Sequence, residues 1–255
     1  MTSHYIEFRG VTKSFGERTV LENVSFFADA AETLVILGRS GVGKSVCLKH
    51  VMGFLKPDAG RVIVAGEDIT EWSEQRLAPL RRRVTMVFQS GALFDSLTVA
   101  ENIAFPLTSV GHTPPEQVEA RVAELLEMLE VAEFADRLPS ELSTGMKRAV
   151  AIARALAQDP EAILYDEPTT MVDPVMAAHV ADLINKLNDK FHKTSVVVTH
   201  DTHLARRLAD RVIFLHDGRV MFFGTWKEFE ETPDPFLRNF RMQDQQIPAL
   251  DVTVP

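Results

Sequence analysis

The chain has 255 residues, 45% of them hydrophobic and 25% charged, with a formal net charge of −9, which fits one large α/β domain or a domain carrying an insertion. The acidic balance argues against broad nucleic-acid binding, which depends on Lys and Arg contacts to phosphates. No run approaches the ~18 apolar residues of a bilayer span, and Met1-Thr2-Ser3-His4-Tyr5 lacks the basic and apolar parts of a secretory signal, so the expectation is a protein of the cytoplasmic side.

The chain opens with strand character. Tyr5-Ile6-Glu7-Phe8 alternates, and Val20 to Phe27 is similarly β-rich. Thr33-Leu34-Val35-Ile36-Leu37 is a short apolar run suited to a strand buried on both faces. After an interruption from Gly38 to Ser45, Val46 to Met52 reads as a helix stopped near Gly53 and Pro57. Cys47 lies on that helix; a single cysteine excludes an intrachain disulfide and here reads as a packing residue.

Arg81-Arg82-Arg83 reads as a solvated turn before the buried strand Val84 to Phe88, with contact to lipid headgroups or a partner loop as the sharper alternative. From about 90 to 160 the chain turns mostly helical. Thr113 with Pro114 and Pro115 marks a helix start, and the Val118, Val122, Leu125, Leu129 spacing gives that helix an apolar face. Strand character returns at Ala162 to Tyr165 and Ser195 to Val198, separated by a helix over Val175 to Leu187, and this alternation implies a mainly parallel sheet. Val212 to Leu215 and Val220 to Phe223 flank Asp217-Gly218, a type I′ hairpin signal. Thr225 with Glu228 makes a capping box. Beyond Phe240 the chain turns polar, and 241–255 reads as an extended or disordered tail.

Gly38-Arg39-Ser40-Gly41-Val42-Gly43-Lys44-Ser45 matches the phosphate-binding P-loop pattern in full, with Val46 continuing the following helix. Its glycines let the backbone curl around an anion, and the helix directs its positive end to the same place. Lys44 is placed to neutralise β- and γ-phosphate oxygens, and the Ser45 hydroxyl to hold Mg²⁺. The loop therefore implies a nucleotide with Mg²⁺, but by itself it does not separate kinases, GTPases and motor ATPases. Ile163-Leu164-Tyr165-Asp166-Glu167-Pro168 ends a buried strand in two adjacent carboxylates, where ligands sit in open α/β sheets. Asp166 suits the Mg²⁺ shell and Glu167 the polarisation of an attacking water; the bland alternative is an acidic turn.

Leu142-Ser143-Thr144-Gly145-Met146 stands before that strand and opens a helix with Ser143 placed as N-cap. Capping alone would explain it, but in this order and at this distance it resembles the LSGGQ signature of the ABC ATPase family, a resemblance covering about Tyr5 to Gly224. The resemblance implies the ABC ATPase fold of the P-loop NTPases: a core over about 1–89 and 161–224 with a mainly parallel sheet and an N-terminal antiparallel β subdomain, and a helical subdomain inserted over about 90–160. It implies that Gln89 is the Q-loop residue that meets Mg²⁺, water and the permease, that Asp173 belongs to the D-loop, and that His200 is the switch histidine at the γ-phosphate. Phe15 takes the A-loop position that stacks on adenine, its alternative being a strand-edge core ring. Ser143, Thr144 and Gly145 would meet the nucleotide of a second copy. The chain departs from the family pattern at Thr144, where glycine is usual, and at Met171-Val172, where Gly-Leu is usual.

Met86 to Val99, continuing Glu101-Asn102-Ile103-Ala104-Phe105-Pro106-Leu107, resembles ATPases of the Mla/Mce lipid-transport type. That implies a homodimer under transmembrane permease subunits at the cytoplasmic face of the inner membrane, with an Mce-domain lipid-binding protein as partner and no nucleic acid. A tail beyond Arg241 would then clasp the neighbouring ATPase. The alternatives are the ATPase of a small-solute importer and, more remotely, a non-transport ABC ATPase.

Overall fold

A computed structural model describes residues 4–109 and 113–245. In chain order the elements are β1 (Ile6–Phe15), β2 (Arg18–Ala28), β3 (Thr33–Leu37), α1 (Lys44–Val51), β4 (Ala59–Val64), β5 (Glu67–Asp68), α2 (Glu74–Arg83) and β6 (Val84–Val87). Then come α3 (Val99–Thr108), α4 (Pro115–Met128), α5 (Thr144–Leu156), β7 (Ala162–Asp166), α6 (Pro174–Phe191), β8 (Thr194–Thr199), α7 (Thr202–Leu208), β9 (Arg211–His216), β10 (Arg219–Thr225), α8 (Trp226–Glu231) and α9 (Pro235–Gln245).

Two sheets carry the strands. The first, in the order β2-β1-β4-β5, is antiparallel throughout, with Ile6 opposite Ala28 on one side and Val64 on the other. The second has the order β10-β9-β3-β8-β7-β6 and is parallel except at the β9–β10 hairpin. The hairpin turn has positive φ at both Asp217 (45°) and Gly218 (74°), as a type I′ turn requires. The Gly218 carbonyl accepts from the Glu22 N–H at 2.8 Å, which ties the second sheet to the first.

The parallel strands are buried on both faces, and alternate residues feed different cores. Leu34, Ile36, Leu164, Val196 and Val198 join one core with α1 and the antiparallel sheet, and Cys47 packs there. Val35, Leu37, Ile163, Tyr165 and Val197 join the other, against the buried sides of α3 to α7. The expected apolar face of α4 lies in that second core through Val118, Val122 and Leu125, with Leu129 just beyond the helix end.

Two expectations need correction, and one stretch carried no expectation. Arg81-Arg82-Arg83 is the last turn of α2, not a solvated turn. Arg81 pairs with Glu74 at 2.7 Å and lies over the Phe54 ring, and Arg83 pairs with Glu161 at 2.7 Å. The strands β4 and β5 and helix α2 fill a stretch to which the sequence assigned nothing before Arg81. Residues 241–245, expected to begin an extended or disordered tail, instead continue helix α9, because Phe236 and Phe240 pack edge-on against Phe214 and Arg241 donates to the Phe229 carbonyl. The remainder of the expected clasp, 246–255, lies outside the described residues.

Candidate nucleotide site

The strand order β3-β8-β7-β6 brings four loops to one sheet edge: the P-loop after β3, His200 after β8, Asp166 and Glu167 at the end of β7, and Gln89 after β6. This is the carboxyl edge of a parallel sheet, where such folds hold ligands. A cleft of ≈ 300 Å³ opens there, lined by the P-loop residues Ser40, Gly41 and Gly43 to Val46 together with Val20, Gln89, Glu167, Thr170 and His200.

Backbone crowding explains two of the P-loop glycines. A Cβ on Gly38 would stand 2.4 Å from the Leu215 carbonyl oxygen. Gly43 has φ 105°, and its Cβ would meet the Val20 carbonyl oxygen at 2.9 Å. The loop therefore presses against β9 and β2 and leads its backbone directly into α1. A helix start leaves its first N–H groups without intrahelical acceptors, so a loop that leads straight into one is a ready anion site.

Lys44 is 5% exposed, so its ammonium needs partners. It donates to the Gly38 and Arg39 carbonyls at 2.8 and 3.1 Å and lies 3.1 Å from Glu167 Oε1. Glu167 has φ 48°, a left-handed backbone that turns its side chain from the strand into the cleft. Its other oxygen, Oε2, accepts from the Thr170 hydroxyl at 3.1 Å and stands 2.9 Å from His200 Nδ1. The Ser45 hydroxyl donates to Asp166 Oδ1 at 2.6 Å. Burial pushes the Asp166 carboxyl above its ordinary range, opposed by the Ser45 hydrogen bond. Ser45 and Asp166 form an all-oxygen donor set of the kind Mg²⁺ takes beside substrate phosphates, so the residues fit that ion.

Not every expected residue reaches this cleft. Phe15 ends β1 with 47% of its surface exposed, so it is not a core ring; Lys13 Nζ sits 5.7 Å from its centroid. It lines neither this cleft nor the adjoining one of ≈ 440 Å³ between Arg18, Arg39 and the 216–218 turn. Ser143 is the N-cap of α5, accepting from the Met146 N–H at 3.3 Å, as its placement predicts. Asp173 caps α6 through the Val175 and Met176 N–H groups at 3.1 and 3.0 Å. Ser143, Thr144, Gly145 and Asp173 stand outside the cleft lining of their own chain. Thr170 was not anticipated. Its only signal is its position three residues after Glu167, where the Thr170 N–H closes a turn onto the Glu167 carbonyl at 3.2 Å.

A family model described as ABC transporter matches residues 21–170, more than half of the chain. The chain belongs to the ABC transporter family. It has the fold of an ABC ATP-binding cassette, an ATPase that takes ATP and Mg²⁺. It is 38% identical over 247 residues to the methionine import ATP-binding protein MetN of Brucella abortus (strain 2308), covering 96% of this chain and 67% of that protein. It is also 38% identical over 237 residues to the probable ribonucleotide transport ATP-binding protein mkl of Mycobacterium leprae (strain TN), covering 92% of this chain and 68% of that one. Among solved structures, the dimeric post-hydrolysis state of the ATP-binding cassette MJ0796 bound to ADP and Pi superposes with a TM-score of 0.79 at 36% identity, covering 86% and 98% of the two chains. The cassette cbiO1 from Clostridium perfringens, part of the complex cbiONQ, gives 0.82 at 25% identity over 95% and 99%. No helix among the described residues is long and apolar enough to cross a membrane.

Proposed function

We propose that this ABC ATPase drives lipid transport, working as a homodimer beneath transmembrane permease subunits with an Mce-domain protein as partner. It would sit at the cytoplasmic face of the inner membrane, held there through the permease. The observation that carries the chemistry is the Lys44–Glu167–His200 chain of contacts beside the Ser45–Asp166 pair, all at one cleft. The lipid reading rests on the Met86 to Leu107 run around Gln89. A second reading, the ATPase of a small-solute importer, is favoured by the identity to the methionine import protein.

In the proposed mechanism the P-loop N–H groups and Lys44 bind the β- and γ-phosphates, and Lys44 gives up Glu167 in doing so. Ser45, Asp166 and Gln89 would hold Mg²⁺, which would neutralise charge developing on the phosphoryl oxygens. Freed from Lys44 and oriented by Thr170 and His200, Glu167 accepts a proton from water as its oxygen attacks the γ-phosphorus and the bond to the departing ADP breaks. By the family resemblance Phe15 would take the adenine, although it lines neither cleft in this conformation. Ser143, Thr144 and Gly145 of a second copy close the site from the other side, with Asp173 at the junction.

The test is to express a tagged Glu167→Gln chain in the native host, solubilise membranes in mild detergent, and identify the co-purifying proteins. A multi-span permease with an Mce-domain protein supports the lipid reading. A soluble solute-binding protein would promote the importer, and ribosomes or DNA-repair factors without a permease would sink the transport reading.

A further inference from the structure

Helix α5, whose first turn is the signature segment, also carries two arginines that reach back to the turn bearing Gln89. Arg148 is 5% exposed. Its Nη1 donates to the Phe88 carbonyl at 3.1 Å and its Nη2 to the Thr170 carbonyl at 3.4 Å. Its Nε is buried without a partner among the described residues. Desolvation pulls the guanidinium below the ordinary arginine range. Arg154 extends the grip, donating to the Gly91 and Ala92 carbonyls at 3.0 and 2.8 Å.

A buried cation held, among the described residues, by backbone carbonyls alone is a costly way to fill space, and an apolar side chain of similar volume would pack there without that cost. What the guanidinium adds is geometry. A planar fork holds two carbonyls of different segments in a more fixed relation than a rotatable ammonium does, and a methyl group holds neither. One of the two segments precedes Gln89 by a single residue. The other is the turn whose Thr170 hydroxyl donates to Glu167 Oε2.

We propose that Arg148 is a positioning residue that sets the Gln89 turn against the Glu167–Thr170 turn, so that a shift of either is passed to the other through one buried guanidinium. This rests on the roles given above to Gln89 and Glu167. Arg148 touches neither nucleotide nor water in this assignment; it acts through Phe88 and Thr170. Because it lies one turn into α5, the start of the signature helix is held in the same unit.

The test uses the full chain with Arg148→Met, Arg148→Lys and Gln89→Ala, measuring the kcat and KM of ATP hydrolysis, the ATP affinity by equilibrium dialysis, and the melting temperature. The expectation for Arg148→Met is a fall in kcat of about 10²-fold, the scale of a small misplacement of catalytic groups. ATP affinity should stay within about threefold, because the P-loop is untouched. The melting temperature should not fall, since a buried unpaired charge has been removed. Arg148→Lys should recover only part of kcat. A folded Arg148→Met chain with kcat within about twofold of the parent overturns the proposal, as does a parallel loss of kcat, affinity and melting temperature, the mark of a purely structural role. If Arg148→Met does not fold, Arg148→Lys decides alone, and parental kcat in it overturns the proposal. Parental kcat in Gln89→Ala would instead remove the reading of Gln89 on which the proposal stands, whereas an impaired Gln89→Ala beside an unimpaired Arg148→Met sinks the role of Arg148 only.

Discussion

Asp166 ends β7 with its carboxyl buried, and burial raises its pKa. The sign of the stability effect follows. A carboxyl that holds its proton more tightly in the folded chain than in the unfolded one makes stability fall as pH rises from the usual aspartate range through the folded pKa. Without metal or nucleotide, Asp166→Asn should therefore melt higher than the parent at pH 7.5, and the gap should narrow toward pH 4. The same variant should need about 10–100-fold more Mg²⁺ for hydrolysis, as losses around a metal typically do. Calorimetry over that pH range checks the first part, and a lower melting point for the variant at pH 7.5 would contradict it. Glu167→Gln tests the neighbouring carboxylate: hydrolysis should drop by about 10²–10⁴, the usual worth of a general base, with ATP still bound. Rates within about threefold of the parent would mean that another group takes the proton. Cys47 gives a cleaner readout. Burial pushes its thiol up to about 12, and the residue is 1% exposed on α1 directly behind the P-loop. Thiol reagents should label it only after unfolding, because the thiolate is the reactive form; labelling of the native chain within minutes would show that α1 opens readily.

At the scale of elements, the legible parts were those whose information is local. The P-loop, the buried run of β7, the Asp217-Gly218 turn and the Ser143 and Thr225 caps each depend on residues close in sequence, and each forms where the residues place it. The stretch from Glu67 to Arg83 was not legible for physical reasons. Strand β5 has two residues, and α2 buries only Leu77 and Leu80 around an internal Pro79, so no apolar period announces either. The contacts that organise the site were hidden for another reason. Lys44 with Glu167, and Arg148 with Phe88, join segments far apart in the chain, and only the strand order brings them together. Phe15 was read as a ring for adenine or a strand-edge core ring; it is exposed, and it does not reach the cleft in this conformation. The first turn of α5 makes an element-scale prediction. Thr144 is its first residue and exposed, while Gly145 beneath it is packed so tightly that a Cβ would meet Met176 Cε at 1.9 Å. The Thr144 side chain is thus the bulk this helix end adds toward an approaching phosphate. Thr144→Gly should raise the steady-state turnover several-fold, and rates equal to the parent would show that the side chain is not what slows the reaction.

The whole molecule holds half of each proposed site. The cleft gathers the P-loop, Gln89, Glu167, Thr170 and His200, yet none of Ser143, Thr144 or Gly145 lines it, and the α5 cap stands exposed at a separate place on the same chain. An exposed helix start with unpaired N–H groups is suited to an anion, and within one copy no phosphate in the cleft would touch it. Two copies arranged about a twofold axis would place each α5 start over the other's cleft, burying two nucleotides and pairing every motif. Nucleotide then acts as the contact surface itself, so association should depend on it, and hydrolysis should loosen the pair by removing the γ-phosphate that both halves hold. Glu167→Gln with Mg²⁺ and ATP should accordingly run at twice the chain mass in light scattering, and at the single-chain mass with ADP. Ser143→Arg in that background should keep one ATP per chain in dialysis yet remain a single chain, since a bulky side chain at the helix cap blocks the partner's phosphate but lies outside its own cleft. If Glu167→Gln stays a single chain at saturating ATP, or Ser143→Arg pairs as well as its parent, the α5 cap does not complete the partner's site and the twofold arrangement falls. The mass measured with ATP against ADP thus decides whether the cycle a permease would feel is the closing and opening of two chains.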